Sequence, residues 1–299
     1  MAEEAQDGAA PARIEPGLWL VATPIGNARD ITLRALDVLA GAEVLAAEDT
    51  RRLRQLMTIH GIPRAGREIL AYHDHNGPRM RPRLLAELRA GRSVAYVSDA
   101  GTPLISDPGF DLARAAIAEG IAVHAAPGPS AVLAALSVAG LPPDRFVFLG
   151  FLPQRASARR ALLDEAGRLA LTLVLYEAPG RAAATLAELA ERLGADRPAA
   201  LCRELTKRHE EVWRGALGEL AARAAEAPPR GEVVIVVGPA GEGPGADAGR
   251  VRRLLEALVP RLGVKDSARL LCDLEGMPRR EAYNAALEVA ARLRRSEED

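Results

Sequence analysis

The chain has 299 residues, 48% of them apolar and 26% charged, with a formal net charge of −1. This is enough chain for one large domain or two medium ones with buried cores, and no apolar run approaches the roughly 18 residues that span a bilayer. An aromatic content of 3% argues against a platform that stacks single strands, while the near-zero charge decides nothing about nucleic acid, which is read from local basic surfaces.

Residues 1–16 are acidic and Ala-rich, lack the basic start and apolar middle of a signal peptide, and read as a loose tail. GLWLVAT (17–23) reads as a buried strand, PIGNARD as a turn, and ITLRALDVLAGA as a helix with Asp30 as its N-cap. EVLAAED is a second strand, followed by a basic helix from about Thr50. RSVAYVSD is a third strand, running into the loop SDAGTPLISDPG (98–109), a helix over about 109–119 and the strand IAVHAA. PGPSAVLAALSVAG is a loop entering a helix that stops at Gly140.

The rhythm restarts at RFVFLGFLP (145–153). A basic helix, the strand LTLVLYEAP (171–179) and a helix over about 181–193 follow. PAALCREL (198–205), EEVWRG (210–215) and GEVVIVVG (231–238) read as further strands. Strands alternating with helices predict α/β architecture, and near-continuous apolar strands predict mostly parallel sheets covered on both faces. The LPPDR break at 141–145 divides an N-terminal α/β lobe (17–142) from a C-terminal one (143–238). PAGEGPGADAG (239–249) reads as a linker. Residues 250–296 read as a small helical module of helix-turn-helix type, broken at Gly263, Gly276 and Pro278.

Loops delivered to the carboxyl edge of such sheets are where α/β proteins bind ligands. Four stand out: TPIGN (23–27, with Pro24 and Gly26), SDAGTPLISDPG with Asp99, Ala100, Gly101, Thr102 and Pro103, PGPSA with Pro127, Gly128 and Ser130, and LYEAPGR (175–181). Taken singly each is a tight βα turn; four together, all shaped by Gly and Pro, read as a ligand cleft. No loop has the dinucleotide pattern G-x-G-x-x-G or the nucleotide pattern G-x-x-x-x-G-K-[ST]. Ser130 opens a helix, either as its N-cap or as part of a seat for an anionic group such as a carboxylate. In SDPG (106–109), Ser106 or Asp107 reads as an N-cap with Pro108 in the first turn. Cys202 and Cys272 stand far apart, which fits a reducing, cytoplasmic setting and no disulfide framework or zinc site. His73 and His75 would share one face of a strand, but no further ligand is spaced nearby, so no metal is expected.

TPIGNARDITLRALDVL, AAEDTR, AYHDHN, VSDAGTPLISDPG, PGPSAVLAALSVAGLPPDRFVFLGFLP, LYEAPGR and CRELTKRHEEVWRGALGEL, in this order, resemble the bacterial small-subunit ribosomal RNA cytidine 2′-O-methyltransferases, a family of tetrapyrrole-methylase-like S-adenosylmethionine enzymes. The resemblance covers about 17–238, and the helical tail is similar to that family's C-terminal module. It implies two α/β lobes with the cofactor in the cleft between them, a homodimer, and small-subunit ribosomal RNA as partner. Gly180 departs from the pattern, standing where a bulkier residue, often His, precedes Arg181.

S-adenosylmethionine carries a sulfonium, an ammonium, a carboxylate and an adenine. The 99–103 segment can offer Asp99 and backbone groups, the 127–131 helix start can receive the carboxylate, and Phe151, Leu152 and Tyr176 can flank the adenine. Methyl transfer to a ribose hydroxyl needs in-line geometry and loss of a proton, so a base or an alkoxide-stabilising cation would help. Candidates are Glu48 and Asp49 of AAEDTR and Glu204 and Lys207 of RELTK. Lysine occurs only at 207 and 265 among 39 basic residues; Lys207 is therefore either a needed compact ammonium or a chance surface lysine. Arg51, Arg52, Arg79, Arg155, Arg159, Arg181 and Arg203 are candidate phosphate contacts, each alone also readable as a solvated face.

Overall fold

A computed structural model of the chain describes residues 14–105, 109–240, 246–275 and 277–298. The chain divides into two compact units at the Pro239–Ala240 junction. Among the described residues the first unit contains two five-stranded sheets.

The first sheet is built from β1 (Gly17–Val21), β2 (Val44–Ala47), β3 (Ile69–Ala71), β4 (Ser93–Val97) and β5 (Val123–Ala126), in the order β3-β2-β4-β1-β5. All its pairings are parallel. β2 and β4 are buried at every position, as expected when helices cover both faces. One face packs on α1 (Leu33–Gly41) and α2 (Thr50–Ile59) through Val38, Leu39, Leu53 and Met57. The other packs on α3 (Gly77–Arg89) and α4 (Phe110–Ala118) through Leu84, Leu88, Leu112 and Ala116. Burying each such Leu or Val contributes about 1.5–3 kcal/mol relative to exposure.

Two sequence expectations are corrected here. Asp30 does not cap α1: it closes a short 3-10 turn, Ala28–Asp30, and Thr32 caps the helix by accepting from the Ala35 N–H at 3.1 Å. The third strand in chain order is Ile69–Ala71, and it ends before His73 and His75, which lie in the turn that leads into α3. The expected cap at Ser106 or Asp107 and the place of Pro108 lie outside the described residues.

The second sheet contains β6 (Phe146–Phe151), β7 (Thr172–Glu177), β8 (Pro198–Arg203), β9 (Glu211–Ala216) and β10 (Val233–Val237), in the order β6-β7-β10-β8-β9. Only β6–β7 is parallel; the other three pairings are antiparallel, against the expectation of a mostly parallel sheet. Helices α6 (Ala156–Ala166), α7 (Ala182–Leu193) and α8 (Leu217–Glu226) cover one face. The other face is covered by α5 (Ala131–Ala139), whose Val132, Ala135, Leu136 and Ala139 pack on Val174, Ala200, Cys202, Val234 and Val236. So α5 precedes the 141–145 break in sequence yet packs on the second sheet.

The second unit holds α9 (Ala246–Glu275) and α10 (Arg279–Glu298). Gly263, at φ 75°, kinks α9 in two. Val251, Leu255, Leu271, Ala282 and Ala286 form its core. Of the expected breaks, Gly263 is observed and Pro278 lies between the helices, while Gly276 lies outside the described residues.

Candidate active site

Register brings the first sheet's loops together. Val97 of β4 pairs with Val21 of β1 and Ala47 of β2, and Val21 pairs with Ala126 of β5. The residues that follow, Thr23, Glu48–Asp49, Ser98–Asp99 and Pro127, therefore leave the sheet at one edge. The loops are then tied together. Thr23 and Gly101 form an isolated bridge, the Ser98 hydroxyl donates to the Gly101 carbonyl at 2.6 Å, and the Thr102 hydroxyl donates to the Pro129 carbonyl at 3.0 Å. The Asp49 N–H donates to Asp99 Oδ1 at 2.8 Å.

A cavity of about 440 Å³ opens between this edge and the second sheet. That is within the size range of small-molecule sites, about 300–1,000 Å³. Of the residues singled out from sequence, Glu48, Asp99, Ala100, Gly101, Thr102, Ser130, Phe151 and Tyr176 line it. Pro24, Gly26, Asp49 and Arg52 instead line a smaller neighbouring cavity of about 240 Å³, which also shares Ser98 and Asp99. Pro103, Pro127, Gly128 and Leu152 line neither. Pro103 is buried, and Gly128 lies so close to Ala22 that an added Cβ would stand 3.0 Å from the Ala22 methyl. Leu152 is 3% exposed in the core under α6 and α7, because it follows Phe151, 54% exposed, and adjacent residues of extended chain point opposite ways. It cannot flank a ligand beside Phe151.

Sequence reading missed one wall, Gly231–Val234. Because β10 runs antiparallel to β7, pairing Val233 with Glu177, its start lies beside the end of β7. Glu177 was also missed. It is buried and accepts from the Ala178 N–H (2.7 Å), the Thr185 hydroxyl (2.6 Å) and the Arg181 guanidinium (2.8 Å). Arg181 thus serves this buried carboxylate. Gly180 is exposed and an added Cβ would meet open space, so the fold places no demand for glycine there.

Lys207 and Glu204 stand behind the Gly231–Val234 wall. Lys207 Nζ donates to Glu204 Oε1 at 2.9 Å and lies 3.2 Å from Glu232 Oε2. Glu204 Oε1 also accepts from the Glu232 N–H at 2.9 Å. Burial works to lower the Lys207 pKa, but its hydrogen bonds to Glu204 and Glu232 outweigh that and raise it. Lys207 is therefore held as a cation at neutral pH by its carboxylate partners. Asp49 caps α2 by accepting from the Arg51 N–H and side chain, and those bonds hold its carboxyl far below the usual range.

The remaining arginines divide. Arg159 pairs with Glu188 at 2.6 Å and Arg203 with Glu211 at 2.8 Å. Arg52 lies 3.8 Å from Asp99, whereas Arg79 and Arg155 are exposed and, among the described residues, take no ion-pair partner. His73 and His75 contact each other edge to face at 6.1 Å, but no group of three or more metal-ligating side chains occurs among the described residues.

A family model described as Tetrapyrrole (Corrin/Porphyrin) Methylases matches residues 17–221. The chain belongs to the tetrapyrrole methylase family. A Ribosomal RNA small subunit methyltransferase I from Mesorhizobium japonicum is 46% identical over 281 residues, covering 93% of this chain and 94% of the relative. The protein of that name from Mycobacterium tuberculosis is 43% identical over 273 residues, covering 91% and 94%. Among solved structures, uroporphyrin-III C-methyltransferase from Thermus thermophilus superposes with a TM-score of 0.53 at 26% identity, over 75% of this chain and 95% of that one. A crystal structure of that enzyme complexed with S-adenosyl homocysteine superposes with the same TM-score at 23% identity.

The residues of this tetrapyrrole methylase cavity fit S-adenosylmethionine. Ile25, Phe151, Tyr176 and Val234 give apolar walls for a flat ring, and Glu48, Asp99 and Glu232 are carboxylates for its cationic centres. Ser130 occupies the N-cap position of α5 without using its side chain as a cap, leaving its hydroxyl at the cavity for a carboxylate. Burial, and secondarily the Glu232 carboxylate, raise the Tyr176 pKa, so its phenol stays neutral.

Proposed function

We propose that this chain methylates small-subunit ribosomal RNA at the ribose 2′-oxygen of a cytidine in the decoding region, using S-adenosylmethionine, as a cytoplasmic homodimer. The observation that carries the reading is end-to-end similarity: relatives named for small-subunit ribosomal RNA match 89–93% of this chain at 41–46% identity. The shaped cavity supports the cofactor, and the exposed Arg79 and Arg155 support an RNA partner.

When bound, S-adenosylmethionine supplies a methyl group made electrophilic by a positive sulfur. The protein's part is to hold, orient and desolvate. The Asp99–Thr102 strap, pinned by Thr23 and Pro129, fixes one side of the cavity. Phe151, Tyr176 and Val234 exclude water, which strengthens every charge interaction inside. Transfer of that methyl to a ribose hydroxyl would release the hydroxyl's proton. Glu48 and Asp99 are the carboxylates placed on the first lobe's wall to receive it. Lys207 acts at one remove, holding Glu232 at the opposite wall.

The experiment incubates the protein with methyl-labelled cofactor and, separately, small ribosomal subunits, naked ribosomal RNA and uroporphyrinogen, then maps ribose methylation in any labelled RNA. Label at a cytidine 2′-oxygen supports the reading. Label only in the tetrapyrrole would replace it with the chemistry of the Thermus relative, and label nowhere would leave a non-catalytic ribosome-binding factor.

A further inference from the structure

The smaller cavity is distinct from the one that fits the cofactor and shares Ser98 and Asp99 with it. It lies at the carboxyl ends of β1, β2 and β4, between Thr23, Ala47 and Val97. This is the sheet's topological switch point. The loops after β1 and β2 lead to helices on one face, whereas the loop after β4, set between them, leads to α4 on the other. Such a crevice is where open α/β sheets receive ligands. One long wall is a single face of α2: Arg52, Gln55, Leu56 and Ile59, spaced three and four residues apart. His60, just beyond α2, ties that helix to the Ala28 carbonyl at 3.0 Å, and Ala28 also lines the cavity.

Resting on the ribosomal RNA reading above, we infer that this cavity holds the base of the nucleotide to be methylated, turned out of its RNA structure, with Asp99 forming the partition from the cofactor cavity. Three features select that ligand. The volume, about 240 Å³, is little more than half that of the main cavity and too small to enclose a tetrapyrrole macrocycle. The α2 face offers aliphatic Leu56 and Ile59 beside the Arg52 guanidinium, which is 61% exposed, and flat bases stack on such surfaces. Asp99 keeps an acceptor at the partition: Oδ1 takes the Asp49 N–H, while among the described residues Oδ2 has only Arg52 at 3.8 Å. That oxygen can accept from a sugar hydroxyl, which brings the ribose, and not the far edge of the base, to the partition. Sharing Ser98 and Asp99 between the cavities sets the sugar of a base seated here next to the methyl source.

The test fills the cavity from an exposed helix position. Gln55→Trp and Ile59→Trp add bulk on the lining face, and Thr58→Trp adds the same bulk off it. Each is compared with wild type for methyl transfer to small subunits, S-adenosylmethionine affinity by calorimetry, and melting temperature. The expected result is a loss of roughly tenfold or more in kcat/KM for subunits in the two lining variants, with cofactor affinity and the Thr58→Trp variant within about twofold of wild type. If one lining variant fails to fold, the other carries the test. An active wild type with both lining variants equally active overturns the base pocket, as does loss of cofactor binding in both. An inactive wild type overturns instead the ribosomal reading on which the pocket rests.

Discussion

Thr23 and Gly101 exchange two backbone hydrogen bonds, each 3.0 Å, joining the turn after β1 to the loop after β4. Gly101 can do this because its φ is 77°, in the left-handed region. A Cβ there would stand 3.3 Å from Ile25 Cγ2 and 3.6 Å from the Pro129 carbonyl. Gly101→Val should therefore cost about 1–2 kcal/mol in backbone strain alone. Because the strap forms the cavity wall, cofactor affinity should fall with it. Calorimetry and thermal melting check both, and unchanged affinity would remove Gly101 from the site.

Lys207 packs so closely beside the first lobe that a Cβ at Gly26 would come within 2.5 Å of its Cγ. Its ammonium joins Glu204 to Glu232. Lys207→Met should lower stability by about 1–2 kcal/mol, less than for a fully buried pair because the side chain is 28% exposed. Lys207→Arg should restore most of that stability. With its folded pKa raised above 10.5, Lys207 contributes stability in full below that value and loses it only as pH rises through the folded pKa. Activity between pH 7 and 9 should then show no Lys207 titration. A kcat profile that loses a pKa in Lys207→Arg would restore the idea of a catalytic amine.

Much of this site was legible in the sequence, and the parts that were not have identifiable causes. The loops around Gly26, Asp99, Gly101 and Ser130 announced themselves because Gly and Pro directly after apolar runs mark the carboxyl edge of a sheet. VVIVV and TLVLY, by contrast, carry no sign of direction: a strand covered on both faces reads the same parallel or antiparallel. That is why Glu232, beside β10, was not assigned to the cleft. Asp30 and Thr32 are both good caps two residues apart, and only the intervening 3-10 turn decides between them. The rarity of lysine pointed to position 207, but its partner Glu232 stands 25 positions further along the chain.

Acid should loosen the second lobe through its paired carboxylates. Hydrogen bonds from Lys207 lower the Glu204 pKa, and those from Arg203 lower that of Glu211. A depressed carboxylate gives stability that is present above its unfolded pKa, here about 4.5, and is lost as pH falls through the folded value. Melting temperature should therefore be flat from pH 8 to 6 and fall below about 4.5. Glu204→Gln should flatten part of that fall while lowering the neutral-pH plateau. An acid limb of unchanged depth in Glu204→Gln would show that other groups carry it.

The arginines should separate into those that hold the fold and those that hold RNA. Arg159 donates to Glu188 and to the Pro153 and Gln154 carbonyls, and Arg203 donates to Glu211 and to the Arg230 carbonyl. Arg159→Ala and Arg203→Ala should lower the melting temperature while leaving the salt dependence of RNA binding unchanged. Arg79 and Arg155 are exposed and have no such partners among the described residues, so Arg79→Glu and Arg155→Glu should leave melting unchanged and weaken binding to small-subunit RNA. Each lost phosphate contact removes a released counterion, so the slope of log affinity against log salt should shrink by about 0.7–0.9 per contact. Titrations at several salt concentrations read this directly. A slope that stays at the wild-type value in the Arg79→Glu, Arg155→Glu double variant would place the RNA on another face of the protein.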